Sequence, residues 1–212
     1  IQRRRADLQP HLSFSQALYN RKLSAAPRVA LLLVTVVTMY VAFVVQNDWK
    51  SGWIPAAAGL GVVLALSSWR VAMAMAVAAL IPLGTILQRL ILSDAYSYST
   101  RIEAWQILAE IIRVNPILGL GSANYYWYTP LFPIRGYFVN FNSHSQYIDI
   151  VAQFGLLGML AFIWFLWEIG RVIWRMLQAD VADDFAHAYV IGAAGGFVAT
   201  IVAGFLGDWL FP

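Results

Sequence analysis

"VALLLVTVVTMYVAFVVQ", residues 29–46, runs for eighteen residues without a charged side chain. A helix rises 1.5 Å per residue, so about 20 residues cover the ~30 Å hydrocarbon core of a bilayer. Lipid offers no partner to backbone N–H and C=O groups, so a run of this length reads as a membrane helix. Four more apolar runs follow, at 53–69, 71–92, 147–167 and 188–207, each of 17 to 22 residues. The strict alternation of a membrane barrel is absent. Composition agrees: the chain is 60% hydrophobic and 12% charged, against roughly 25% charged in a soluble domain. The fold class read from this is an all-α integral membrane protein with about five transmembrane helices.

Lys and Arg set the expected orientation. Arg3, Arg4, Arg5, Arg21, Lys22 and Arg28 precede the first run, and Arg70, Arg171 and Arg175 fall on the same side. Lys50, Arg89, Arg101, Arg113 and Arg135 fall on the other. Nine against five predicts a cytoplasmic amino end. Trp49, Trp53 and the cluster Tyr125–Tyr128 suit interfacial belts. The basic opening suits cytoplasmic retention, and nothing else in the chain offers a nucleic-acid surface. The predicted organisation is a basic cytoplasmic segment 1–28, three spans in 29–92, an extracytoplasmic segment 93–146, and two spans in 147–212. There is no cysteine, so no disulfide framework and no thiolate chemistry.

The extracytoplasmic segment carries structure of its own. "STRIEAWQILAEIIRVNP" places Thr100 and Glu103 in capping-box spacing and ends before Asn115-Pro116. Ile102, Trp105, Leu108, Ala109 and Ile112 fall at helical spacing, so 101–113 is predicted as an amphipathic helix at the membrane surface. A segment this long is typically a lid or a binding loop. The connector 176–187 reads as acidic and solvated, with His187 exposed.

The residues suited to chemistry gather where this segment meets the fourth run. Ser143 and Gln146 form a second capping box, which predicts His144 in the first helical turn. The positive helix end would disfavour imidazolium there and would favour an anion nearby. The plain alternative is a histidine that tolerates the headgroup region. Gln146, Asp149 and Gln153 share a helical face, and a carboxylate one turn into a span should face a cavity or a partner. A hydrogen-bonded stripe between helices is the other reading of that face. Arg101, Arg113 and Arg135 suit phosphate binding or headgroup contact, and Gly119-x-Gly121 suits an anion nest. His11, His144 and His187 show no metal-ligand spacing.

Two motifs, in order, resemble the O-antigen ligase and polymerase-related membrane proteins, a family that includes bacterial protein O-oligosaccharyltransferases. One is His144-Ser145, nine residues, then Gly155-Leu156-Leu157-Gly158. The other is Arg101 four residues before Trp105, followed by Asn115-Pro116-Ile117-Leu118-Gly119-Leu120-Gly121. Lys50-Ser51-Gly52 resembles the family's Ser-Arg-Gly element, with Lys where Arg is usual. The resemblance covers about 50–212, and it implies the carboxyl-side part of a longer protein.

The resemblance further implies a glycosyltransferase of the bacterial inner membrane. Its donor is a glycan on a polyprenyl diphosphate carrier, and a hydroxyl of a lipid or protein acceptor attacks the anomeric carbon with inversion. It implies no metal or other cofactor. Arg101, Lys50 and Arg135 are then the expected diphosphate contacts. His144 and Arg101 are the expected catalytic residues, and Ser143, Ser145, Gln146, Asp149, Gly155 and Gly158 are expected to support them. A transporter, as in a branch of the family linked to inorganic carbon uptake, and an inactive remnant are the alternatives.

Overall fold

The computed structural model describes residues 9–45, 50–66, 68, 70, 71, 73, 74, 77, 95–122, 124–179 and 183–207. All regular structure among them is helical. The helices are α1 (Gln9–Tyr19), α2 (Ala25–Tyr40, extended by a π turn Val41–Val45), α3 (Lys50–Ala65), α4 (Ala95–Ile112), α5 (Gln146–Gln178) and α6 (Asp184–Leu206). Three are long and apolar enough to cross a membrane: Ala25–Val45, Gln146–Gln178 and Asp184–Leu206. They contain the runs expected at 29–46, 147–167 and 188–207 almost entirely. The second run forms α3, which is apolar but shorter. The run 71–92 lies largely outside the described residues. Along α2 and the later part of α5, large apolar side chains such as Leu33, Val36, Leu160, Trp164 and Trp167 are exposed. In water such a surface is a liability, and in a bilayer it is the ordinary outer face.

The chain divides into two compact units. The first comprises residues 1–78 and 167–203. Within the basic segment expected at 1–28, residues 9–19 are helical. They form α1, whose His11, Ser15 and Gln16 are buried, as is Asn20 just beyond it. The polar stripe is tolerated because it is bonded. Gln16 Nε2 donates to the Phe185 carbonyl at 2.9 Å, and the Tyr19 hydroxyl donates to the Val63 carbonyl at 2.8 Å. Lys22 pairs with Asp183 at 3.2 Å on the surface, so the basic segment and the acidic connector share one end of this unit. His187, expected to be exposed, packs edge-on against Tyr19.

The second unit comprises residues 79–166 and 204–212. Its core is Leu108, Ile111, Tyr125 and Ala152, with Ile107, Leu120, Phe132, Phe141 and Ile148 packed around them. α4 starts at Ala95, six residues before the expected helix. Thr100 is therefore not a cap: its hydroxyl bonds back to the Tyr96 carbonyl inside the helix. The buried stripe is also rotated. It runs Ala104, Leu108, Ile111, while Ala109 faces out.

The decisive feature of this unit is a break in α5. Gly155 sits at φ 67°, ψ −168°, a conformation open essentially only to glycine. The backbone groups orphaned by the break are taken up by residues 116–121. Leu120 N–H donates to the Ala152 carbonyl at 3.0 Å and Gly121 N–H to the Gln153 carbonyl at 2.9 Å. In return, Leu156 N–H donates to the Pro116 carbonyl at 2.8 Å and Leu157 N–H to the Ile117 carbonyl at 3.2 Å. Broken backbone at membrane depth is tolerated only where protein supplies such partners. The two segments touch so closely that a Cβ on Gly119 would lie 2.5 Å from Gln153 backbone, and one on Gly155 2.2 Å from the Ile117 oxygen. Gly158 has no room for a side chain either, because the Phe154 Cβ lies 2.2 Å from where its own Cβ would stand. The glycine pair 119 and 121 is thus a backbone dock. The anion nest read from the sequence is overturned, since the N–H groups of residues 119–121 are all spent on carbonyls.

Candidate functional site

Beyond residue 122 the chain makes two short 3₁₀ turns, Asn124–Trp127 and Thr129–Leu131, then a tight hairpin. Ile134 and Tyr137 exchange backbone hydrogen bonds of 2.9 and 2.8 Å, and Arg135 and Gly136 between them both have positive φ. That is the geometry of a two-residue hairpin turn. The Arg135 side chain is committed to α4. Its backbone N–H donates to Glu103 Oε1 at 2.9 Å, its Nε lies 3.4 Å from Glu103 Oε2, it bonds the Ser99 hydroxyl, and it lies over the Tyr96 ring. Arg135 therefore staples the hairpin to the helix, and its guanidinium is already partnered. Arg113 is likewise paired, its Nη1 donating to both carboxylate oxygens of Glu110.

Residues 141–145 then lead into α5. His144 is not in the first helical turn. It stands two residues ahead of Gln146 with φ 50°, in the left-handed region that histidine adopts more readily than most residues but at a cost. The Ser143 side chain explains the departure. Its Oγ accepts the Ser145 N–H at 2.9 Å and turns its own proton toward Asp149 Oδ1, 2.6 Å away, and the Ser145 carbonyl, 2.7 Å away. This side-chain turn holds residues 143–145 out of the helix. The expected cap passes to Ser145, whose carbonyl accepts the Asp149 N–H at 3.0 Å.

Asp149 is fully buried, as are Gln146 and Gln153 on the same face. Its Oδ1 also accepts the Tyr125 hydroxyl at 2.5 Å. Burial first, and then this bond to a carboxylate, push the Tyr125 hydroxyl well above the usual tyrosine range. Tyr125 is a member of the site that the sequence reading placed only in an aromatic belt. The four-residue aromatic run gave no sign of which hydroxyl turns inward.

The two motifs meet here at three points. The indole N–H of Trp105 donates to the Ser143 carbonyl at 2.7 Å. The charge of Arg101, one turn earlier on α4, acts on His144. Residues 116–121 dock into the break at Gly155. Burial and then Arg101 hold the His144 imidazole below the usual histidine value of 6.5, while Asp149 pulls the other way. The neutral imidazole expected from a helix dipole is thus favoured by a different cause. Arg101 makes no ion pair among the described residues, and its charge acts on an imidazole that burial already holds toward its neutral form. Lys50 opens α3 in the first unit, and its side chain lies outside the described residues. No group of three or more potential metal-ligating side chains occurs among the described residues.

A family model described as O-antigen ligase matches residues 23–163, more than half of the chain. No curated protein and no solved structure matches it.

Proposed function

The chain belongs to the O-antigen ligase family, and from that premise we propose that it transfers a glycan from a polyprenyl diphosphate carrier to a hydroxyl acceptor, by ligation or polymerisation, in cell-surface polysaccharide biosynthesis. The observation that carries this reading is the Trp105–Ser143 bond, which ties the helix bearing Arg101 to the turn bearing His144, so that the charge of Arg101 acts on the imidazole. The reaction needs two things of a protein: a base for the acceptor hydroxyl and a cation for the departing diphosphate.

In this reading the neutral imidazole of His144 takes the proton of the acceptor hydroxyl. The acceptor oxygen forms its bond to the anomeric carbon as the bond to the diphosphate oxygen breaks on the opposite face, which inverts the configuration. The electron pair leaves on the diphosphate, and Arg101 meets the charge as it develops. No metal is assigned a part. Arg135, expected among these contacts, is left out because Glu103 already holds it. The site faces the extracytoplasmic side of the bacterial inner membrane, with the amino end cytoplasmic, as the Lys and Arg distribution favours.

The test uses the full-length protein in detergent, with a polyprenyl-diphosphate-linked glycan, a panel of hydroxyl acceptors and a chelator present. Transfer that survives the chelator and falls by about 10²–10⁴-fold in both His144→Ala and Arg101→Ala supports the assignment. Wild-type rates in either variant overturn it. A folded protein that transfers nothing to any acceptor would next be tested for ion or bicarbonate flux.

A further inference from the structure

The proposed transfer engages His144 and Arg101 and gives the buried carboxylate of Asp149 no task. Asp149 is costly where it stands. It is fully buried, one turn into a span, and only one of its two oxygens is bonded among the described residues. Oδ1 takes both the Tyr125 and the Ser143 hydroxyls. A hydrogen-bonded tie between helices would not need a charge for this, since an amide oxygen accepts the same two bonds.

What the carboxylate holds is the turn that carries His144. Ser143 Oγ is gripped by Asp149 on one side and by the Ser145 N–H on the other. The Ser143 carbonyl is fixed by Trp105. The residue between these two serines is His144, in a backbone conformation that costs energy unless its flanks impose it. The charged groups that act on the imidazole are Arg101 from α4 and Asp149 from α5, with the Tyr125 hydroxyl seated on the latter.

We propose that Asp149 is a positioning residue for His144: its carboxylate clamps the left-handed turn that aims the imidazole and sets a negative charge against that of Arg101. The clamp makes Asp149, Ser143 and Tyr125 one unit, which acts on the reaction only through His144. The inference rests on the reading of His144 as the base, and its test is chosen to fail separately from that reading.

Asp149→Asn keeps an oxygen for both hydroxyls and removes the charge, whereas Asp149→Ala removes the clamp. His144 is titrated in the full-length protein by the pH dependence of its acylation with diethyl pyrocarbonate, read on its own peptide by mass spectrometry. The expected result for Asp149→Asn is a folded protein whose His144 titrates at lower pH than in the wild type, because the opposing negative charge is gone. Asp149→Ala should lower kcat by about 10²-fold, the scale of a misplaced catalytic group, with the donor KM unchanged. An unmoved His144 titration in a folded Asp149→Asn variant overturns the proposal, whatever the activity. A moved titration with no transfer in any protein, wild type included, leaves the action of Asp149 on His144 standing and sinks the glycosyltransferase reading instead.

Discussion

Gly155→Ala should cost this protein far more than a glycine substitution ordinarily does, and the size can be worked from the geometry. At φ 67°, ψ −168° an L-residue is in a region that is essentially glycine's alone, a strain of order 1–3 kcal/mol. The new methyl would also stand 2.2 Å from the Ile117 oxygen and 2.6 Å from the Gly119 nitrogen. Both contacts are backbone, so no flexible side chain can swing aside. Relief requires residues 116–121 to withdraw, and withdrawal breaks the four hydrogen bonds across the break. At about 0.5–1.5 kcal/mol each these sum to roughly 2–6 kcal/mol. The expected loss is therefore about 3–9 kcal/mol, comparable to the whole stability of a marginal protein.

Gly136→Ala is the control. Gly136 also has positive φ, at 79°, but nothing lies within 4 Å of its Cβ position, so only a backbone term of about 1 kcal/mol applies. The assay is thermal unfolding of the purified full-length protein in detergent, followed by monodispersity and tryptophan fluorescence. At about 2–4 °C per kcal/mol for a chain of this size, Gly136→Ala should shift Tm by a few degrees. Gly155→Ala should shift it by about 6–36 °C or fail to yield folded protein. A Gly155→Ala protein that melts with Gly136→Ala would refute the interlocked backbone described for this unit.

Two further outcomes follow from the site. Tyr125→Phe deletes a buried hydroxyl donated to a carboxylate and should cost about 1.5–3 kcal/mol in the same melt; a neutral result would mean that the 2.5 Å bond to Asp149 contributes little. The second outcome concerns pH. Burial and Arg101 hold the His144 imidazole below 6.5, so between 6.5 and that lower value the unfolded chain binds a proton that the folded one does not. Its contribution to stability is present above pH 6.5 and is lost as pH falls below it. The acid limb of kcat/KM should accordingly lie below pH 6.5, and Arg101→Gln should move it to higher pH in whatever activity remains. An acid limb above pH 6.5 in the wild type would contradict the assignment of His144 as the base.

How much was legible in the sequence depended on the range of the physics involved. Runs such as 29–46 declare themselves because the bilayer acts on every residue alike, so length and apolarity suffice. His144, Arg101 and the glycine motifs were legible as residues, through their spacing. Their partners were not. Thr100 and Glu103 obey capping spacing, yet the helix begins at Ala95, and Glu103 holds Arg135 across the loop instead. Ser143 and Gln146 also obey it, yet Ser143 bonds Asp149 and keeps His144 out of the helix. In the first case a contact distant in sequence displaced the local bond, and in the second one local side-chain bond displaced another.

The sequence by itself determined an α-helical membrane protein and the residue types a carrier-linked glycan transfer would need, because hydrophobic length and side-chain chemistry are properties of the chain. Only the tertiary structure decided what Gly119, Gly121 and Gly155 are for. A glycine in a sequence marks permission, either for positive φ or for close approach, and does not say which. Here both permissions are used at one place: the break in α5 leaves backbone groups that lipid cannot satisfy, and residues 116–121 satisfy them. The same folding ties the helix of Arg101 to the turn of His144 through Trp105 and puts Asp149 beneath that turn.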